Sequence, residues 1–252
     1  MPSSFRKSCA FFDIDGTLLE SFIIQSFPRY LTENGFVEPR YQNEIDRIVN
    51  HYLSGEVTYR EAAEAIPNLY ALALKWKHKN DVKHWAKEFI QAYLPEHIFP
   101  YSKQLVHGVG KLVDFKIAIS GSPIEVVEEL KYLGFDRVYG SIFEENQDVY
   151  TGRVMANLIL GEEKTRFVEK ICEELDLDLS KSVAFCDTDQ DEPLLSMVGL
   201  PIAVNPNKRL KEICALNGWK FFEKEELDNI ENFYTSSKTT SQPLNAPYWK
   251  SY

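Results

Sequence analysis

Positive charge is in short supply in this chain: 28 Lys and Arg stand against 38 Asp and Glu, a formal net charge of −10. That balance disfavours nucleic acid as a partner, because a phosphate backbone is bound through a concentrated basic surface. Small phosphorylated molecules stay open, since they need only local positive charge. Cysteine is sparse as well. Cys9, Cys172, Cys186 and Cys214 have no Cys-x-x-Cys spacing, which disfavours zinc ligation and disulfides and leaves buried free thiols as the expectation. No apolar run is long enough to span a bilayer. The polar stretch Met1 to Ser8, followed by a short apolar run, lacks the form of a secretory signal. A cytoplasmic protein with no membrane partner is expected. Internal repeats are absent, and His51, His78, His84, His97 and His107 show no metal-ligand spacing.

What is present is enough apolar material, 44% of 252 residues, for a sizeable core. The length allows one large or two modest domains, given roughly 100–200 residues per domain. Strand-length apolar runs recur at Cys9-Phe12, Lys116-Ile119, Ser182-Cys186 and Pro201-Val204, with helical patterns between the later ones. Such alternation predicts an α/β fold with a mostly parallel, doubly wound sheet. Gly134 is placed to end a helix that follows Ser120. Asn205, Pro206 and Gly218 are placed as cap, first-turn proline and terminal glycine of another. Ile142 to Ile159, with a turn-like Asn146-Gln147-Asp148, predicts a small β-hairpin. From about Leu19 to Pro100 the spacing is helical instead, as in Glu44-Ile45-Ile48-Val49-Tyr52 and Trp85-Phe89-Ala92-Tyr93. The expected organisation is an α/β core from 1–18 and 101–234, an all-helical insertion at 19–100, and a tail at 235–252.

Chemistry concentrates in four places. Asp13-Ile14-Asp15-Gly16-Thr17 follows the first strand, and carboxylates at i and i+2 share a side of an extended backbone. Pockets of open α/β sheets lie at the carboxyl ends of strands, so the pair is expected to line a cleft. The pentapeptide alone also fits calcium loops and ordinary turns. Ser120, with Gly121-Ser122-Pro123 after it, ends the second strand and reads either as an anion-binding turn or as a plain helix N-cap. Lys164 extends the apolar stripe Phe167, Val168, Ile171, Cys172, Leu175 of a helix over Gly161 to Leu175. Most helical lysines are solvated, but one on the buried side needs an anionic partner. Asp187-Thr188-Asp189-Gln190-Asp191 follows a third strand, and Asp187 and Asp191 share a face if a helical turn begins there. An EF-hand is excluded, because the loop lacks glycine at its sixth place and glutamate at its twelfth.

In order and in strand context, Asp13-x-Asp15-Gly16-Thr17, Ser120, Lys164 and Asp187 with Asp191 match the four motifs of the haloacid dehalogenase-like (HAD) hydrolase superfamily. The chain most resembles its phosphoserine-phosphatase-like branch over roughly residues 8 to 220. The resemblance implies a Rossmann-like core, a helical cap and a small-molecule phosphoester substrate. It implies that Asp13 attacks phosphorus and is phosphorylated, and that Asp15 serves as acid and then base. Asp13, Asp187 and the backbone carbonyl of Asp15 would hold Mg²⁺, with Asp191 bound through water or positioning Lys164. Ser120, Lys164 and backbone N–H groups, Gly121 among them, would bind the phosphoryl oxygens, and Thr17 would contact phosphate or orient Asp15.

Aspartate at position 15 favours phosphate-ester chemistry over the superfamily's dehalogenases, pumps and phosphonate hydrolases. A phosphomutase or phosphotransferase using the same aspartyl phosphate stays open, as does a non-catalytic ligand-binding protein. Phosphoserine phosphatases carry a glutamate nine residues after the nucleophile to hold the serine ammonium. Phe22 stands there in this chain, either against an apolar leaving group or, the preferred reading, packed in the cap core. No arginine clearly replaces the one that grips the serine carboxylate, though Arg60 is near in sequence.

Overall fold

A computed structural model describes residues 6–227 of the chain. The expected tail at 235–252 lies outside the described residues. The first strand, β1 (Cys9–Phe12), is buried at all four positions, as a strand that is apolar on both faces must be. Helices α1 (Ile23–Glu33), α2 (Pro39–Leu53), α3 (Tyr59–Leu74) and α4 (Lys79–His97) follow, then α5 (Ser102–Val109). Next come β2 (Phe115–Pro123), the short α6 (Ile124–Val127) with a 3₁₀ extension over Glu128–Leu133, β3 (Arg137–Asn146) and β4 (Val149–Ala156). The chain closes with α7 (Gly161–Leu175), β5 (Val183–Cys186), α8 (Glu192–Met197), β6 (Leu200–Val204), α9 (Lys208–Asn217), β7 (Lys220–Phe222) and α10 (Lys224–Leu227).

The strands form one seven-stranded sheet in the order β4-β3-β2-β1-β5-β6-β7. Every neighbouring pair is parallel except β3 with β4. From β1 the chain builds outward through β2, β3 and β4, then returns to the other side of β1 to lay down β5. The order therefore reverses between β1 and β5, and at such a reversal the strand ends part to leave a crevice. Phe12 pairs with Phe185 in register, so Asp13 and Asp187 leave adjacent strands at nearly the same level.

Strand alternation sorts the core into two layers. Ala10, Phe12, Ala118 and Phe185 face a cluster that continues into Phe27, Tyr70 and Phe89 of the inserted helices. Cys9, Phe11, Ile117 and Cys186 face the other way, against Val168 and Ile171 of α7 and Leu210 and Ile213 of α9. The insert thus shares an apolar core with one face of the sheet, with Tyr70 edge-on to Phe143 at 4.8 Å between ring centroids. All four cysteines are buried and unpaired. No helix among the described residues is long and apolar enough to cross a membrane.

The expected hairpin forms, β3 pairing antiparallel with β4, and because β3 also pairs in parallel with β2 it carries β4 as the sheet edge. Its turn uses left-handed Gln147 (φ 51) and Asp148 (φ 61), the combination that suits strand twist. Two other local expectations need correction. Asn205 does not cap α9. Asn207 does, its side-chain oxygen accepting from Leu210 N–H at 2.8 Å, while Gly218 ends the helix as expected. The strand carrying Ser120 does not turn into a helix there. It continues through Gly121 and Ser122 to Pro123, with Ser141 of β3 opposite Pro123.

Candidate active site

The site grows out of the ends of β1 and β5. Asp13 N–H donates to Phe185 O at 2.9 Å, which locks the first acid to the neighbouring strand. The following loop folds back on itself, with Leu18 N–H and Leu19 N–H both donating to Ile14 O at 2.8 and 3.0 Å. Gly16 makes this possible. Its φ is +77°, and a Cβ there would lie 2.0 Å from Asp187 Oδ2, so the loop crosses Asp187 with no room for a side chain. Thr17 Oγ1 donates to Asp187 Oδ1 at 3.2 Å, while Thr17 O accepts from Tyr101 OH at 2.7 Å. Thr17 therefore orients Asp187 rather than Asp15.

Lys164 enters from the first turn of α7 and is 4% exposed. Its Nζ donates to Asp13 Oδ1 at 2.9 Å and to Asp191 Oδ1 at 2.7 Å. The ammonium is thus held between the carboxylates of Asp13 and Asp191. Close approach of the 189–191 turn to α7 depends on Gly161, where a Cβ would meet Gln190 O at 2.1 Å. One carboxylate oxygen from each of Asp13, Asp187 and Asp191 falls within a 4.8 Å cluster, and all three side chains are buried.

The charges do not balance. Three carboxylates face one ammonium in a setting where each ion has lost its water, an arrangement that raises acid pKa values. Burial pushes Asp13 up to about 7, with Lys164 pulling the other way. Burial, then Asp13 and Asp191, hold Asp187 well above the usual carboxylate range. Burial alone would favour a neutral Lys164, but Asp13 and Asp191 outweigh it and keep the lysine charged. An excess of buried carboxylate oxygen with no nitrogen or sulfur donor among the cluster suits a hard divalent cation.

Asp15 has different company. Its carboxylate is not part of that cluster. Oδ1 accepts from Ile23 N–H, the first residue of α1, at 2.7 Å. Oδ2 accepts from Ser120 Oγ at 3.1 Å and Ser122 Oγ at 2.7 Å. Burial raises its pKa, and these donors, Ile23 first, counter the rise. Ser120 is fully buried and its Oγ also accepts from Ser122 N–H at 2.9 Å, so it sits inside a strand end rather than at a helix N-terminus. Gly121 packs under Ile159, whose Cα would lie 2.9 Å from an added Cβ.

The two candidate specificity residues, Phe22 and Arg60, are both exposed. Phe22 is 60% exposed at the start of α1, so it is not a core residue of the insert. Arg60 is exposed and paired with Glu162 and Glu64, leaving its guanidinium committed to the protein surface. Residues that the sequence does not mark for the site take part in it. Ser122 holds Asp15, and Tyr101 with Asn205 braces the loop, Asn205 Nδ2 donating to Tyr101 OH at 2.6 Å. Tyr59 OH donates to Ile159 O at 3.1 Å, and burial raises its pKa, with Lys164 pulling the other way. Ser122 carried a signal, namely its i+2 spacing from Ser120 on one strand; Tyr59, Tyr101 and Asn205 carried none.

Residues 10–196 match the sequence pattern of the haloacid dehalogenase-like hydrolase family. The chain is 28% identical over 221 residues to a histidinol-phosphatase of Neisseria meningitidis, covering 84% of this chain and 97% of that protein. It is 26% identical over 237 residues to a phosphoserine phosphatase of Mycobacterium tuberculosis, covering 84% and 70%. Among solved structures it resembles a Bordetella pertussis protein of unknown function (TM-score 0.73, 24% identity, covering 87% and 99%). It also resembles a phosphoserine phosphatase held as a phospho-aspartyl intermediate analogue (TM-score 0.62, 19% identity, covering 90% and 99%). The chain belongs to the haloacid dehalogenase-like hydrolase family, in the phosphatase branch that resembles phosphoserine phosphatase.

Proposed function

We propose that this protein is a Mg²⁺-dependent hydrolase of a small-molecule phosphomonoester, working through a phosphorylated Asp13. The observation that carries the reading is the division of labour between two acids two residues apart. Asp13 lies in an anionic cluster beside a buried lysine, and Asp15 lies in a clasp of neutral donors.

Lys164 occupies Asp13 Oδ1, leaving Oδ2 as the oxygen that attacks phosphorus. The leaving alcohol takes its proton from Asp15, which later receives one from the hydrolytic water. Ser120 and the Gly121 backbone, at the carboxyl end of β2, are assigned to the phosphoryl oxygens together with Lys164. Asp13 and Asp187, with the carbonyl of Asp15, would hold Mg²⁺. Its charge would offset the repulsion between a carboxylate and an incoming phosphate dianion.

Helices α1–α4 would act as the lid over this site. Their contacts support that role: Ile23 N–H reaches Asp15, Tyr59 OH reaches Ile159 O, and Arg60 reaches Glu162 on the lysine's own helix. An exposed Phe22 where phosphoserine phosphatases carry a glutamate argues against phosphoserine as the substrate. Four buried, unpaired thiols support a reducing compartment such as the cytoplasm.

The test is phosphate release from a panel of metabolite phosphoesters with and without Mg²⁺, with Asp13→Asn as control. Mg²⁺-dependent release that disappears in Asp13→Asn is the expected result. Release equal in the two proteins overturns the hydrolase, and transfer of phosphate to an added alcohol at the expense of water reassigns it as a phosphotransferase.

A further inference from the structure

Asp15 must be protonated in one half-reaction and ionised in the next, so its partners have to tolerate both states. Its two oxygens are not equivalent in that respect. Oδ1 faces the Ile23 N–H, which can only donate and so keeps this oxygen an acceptor. Oδ2 faces hydroxyls, which adapt to either state, and is therefore the oxygen that carries the proton. Of the two hydroxyls, Ser120 is the one assigned to the phosphoryl group once substrate arrives. Ser122 is then the group that remains on Oδ2.

We propose that Ser122 is a positioning residue that aims Asp15 Oδ2 at the leaving oxygen, an inference that rests on the phosphatase reading above. The serine is held firmly. It is 1% exposed, and its N–H donates to Ser120 Oγ at 2.9 Å. Gly121 O, immediately before it, accepts from Ser141 Oγ at 2.6 Å, and that oxygen in turn accepts from Leu158 N–H at 3.0 Å. Gly140 lets β3 close on this strand end, because a Cβ there would lie 2.6 Å from Ser122 O. A short strand extension pinned on its outer side thus presents one hydroxyl to Asp15 at 2.7 Å.

The bond from Asp13 Oδ2 to phosphorus forms while the bond from phosphorus to the leaving oxygen breaks, and the electron pair of that bond is capped by the proton from Asp15 Oδ2. A water, losing its proton to Asp15 Oδ2, then forms a bond to that phosphorus as the bond from phosphorus to Asp13 Oδ2 breaks, which releases inorganic phosphate and returns Asp13 as a carboxylate. Ser122 gives up no atom and gains none; its O–H···Oδ2 bond fixes where the proton points.

Leaving groups separate this role from a structural one. A dinitrophenolate departs without a proton, whereas an alkoxide needs one. Ser122→Ala should lower kcat/KM for the best alkyl phosphate by about 10- to 100-fold, within the range of a weakened general acid. For 2,4-dinitrophenyl phosphate the loss should stay within about threefold. Ser122→Cys, close in size with a weaker donor, should show the same selectivity at smaller amplitude, which guards against a folding defect in the alanine variant. In an Asp15→Asn background, Ser122→Ala should add nothing further, since both changes remove one interaction. Equal losses on both esters, no loss on either, or a further loss in the Asp15→Asn background overturns the proposal. A wild-type protein that turns over neither ester sinks the phosphatase reading and this inference with it; failure of the selectivity in an active enzyme sinks this inference alone.

Discussion

Asp13 and Asp15 are separated by one residue and live in opposite surroundings. Asp13 sits where charge is in excess, within reach of Lys164, Asp187 and Asp191. Asp15 is bonded by neutral groups alone, one backbone N–H and two hydroxyls, and Lys164 is only a minor influence on it. The first setting suits a nucleophile that must stay ionised beside a cation and a phosphate. The second suits a group that gains and loses a proton. The difference teaches that the loop after β1 is a partition, and that Gly16, lying over Asp187, is where the partition is thinnest.

The strongest way to break the charged side is Lys164→Met. Removing the buried ammonium leaves three carboxylates uncompensated and should cost about 3–5 kcal/mol in metal-free protein, read by urea denaturation. Added Mg²⁺ should recover part of that loss, because the cluster's remaining need is for positive charge. If Lys164→Met is as stable as wild type without metal, the cluster carries no such excess of negative charge. Gly16→Ala attacks the partition itself. A Cβ at a left-handed position and 2.0 Å from Asp187 Oδ2 forces that carboxylate aside. Activity should fall by about 100-fold, as misplacement near 1 Å does at reacting centres, with a stability loss of about 1–3 kcal/mol from backbone strain.

Acidity gives a finer comparison. The folded Asp13 pKa is raised from 3.8 to about 7, so the metal-free folded state holds a proton that the unfolded state releases. Its contribution to stability is then full below about pH 4 and is lost as pH rises through about 7. The melting-temperature gain on adding Mg²⁺ should accordingly be larger at pH 8 than at pH 5.5, where protons compete for the same oxygens. A gain independent of pH would place the metal elsewhere. The smallest expected effect is that of Arg60→Ala. Its pairs with Glu162 and Glu64 are exposed, so melting temperature and kcat/KM should both change little. A large rise in KM would instead return Arg60 to the substrate.

Much of this arrangement was legible in the residues, wherever periodicity carries the information. β1 and α7 have the limits their apolar patterns indicate, and Lys164 lies on the buried side because it continues the stripe of Val168, Ile171 and Cys172. Ser120-Gly121-Ser122-Pro123 misleads, because glycine, serine and proline read as turn chemistry, while the strand runs on through an irregularity, tied to β3 by Ser141 Oγ at Gly121 O and paired with it again at Pro123. Asn205 and Asn207 are both chemically fit to cap a helix, and only the bond to Leu210 N–H distinguishes them. Phe22 was expected inside on its hydrophobicity, but a residue at a helix start faces outward when the next one, Ile23, takes the buried place.

The sequence by itself determined the α/β fold, the acids at strand ends and the lysine on a buried helix face. Each of these follows from how a side chain is oriented relative to its own backbone. It could not determine which acid meets which partner. Lys164 reaches Asp13 across 151 residues, and Ser122 reaches Asp15 across 107. Those choices belong to the tertiary structure alone, because they depend on the register and closeness of strands that meet only when the sheet assembles.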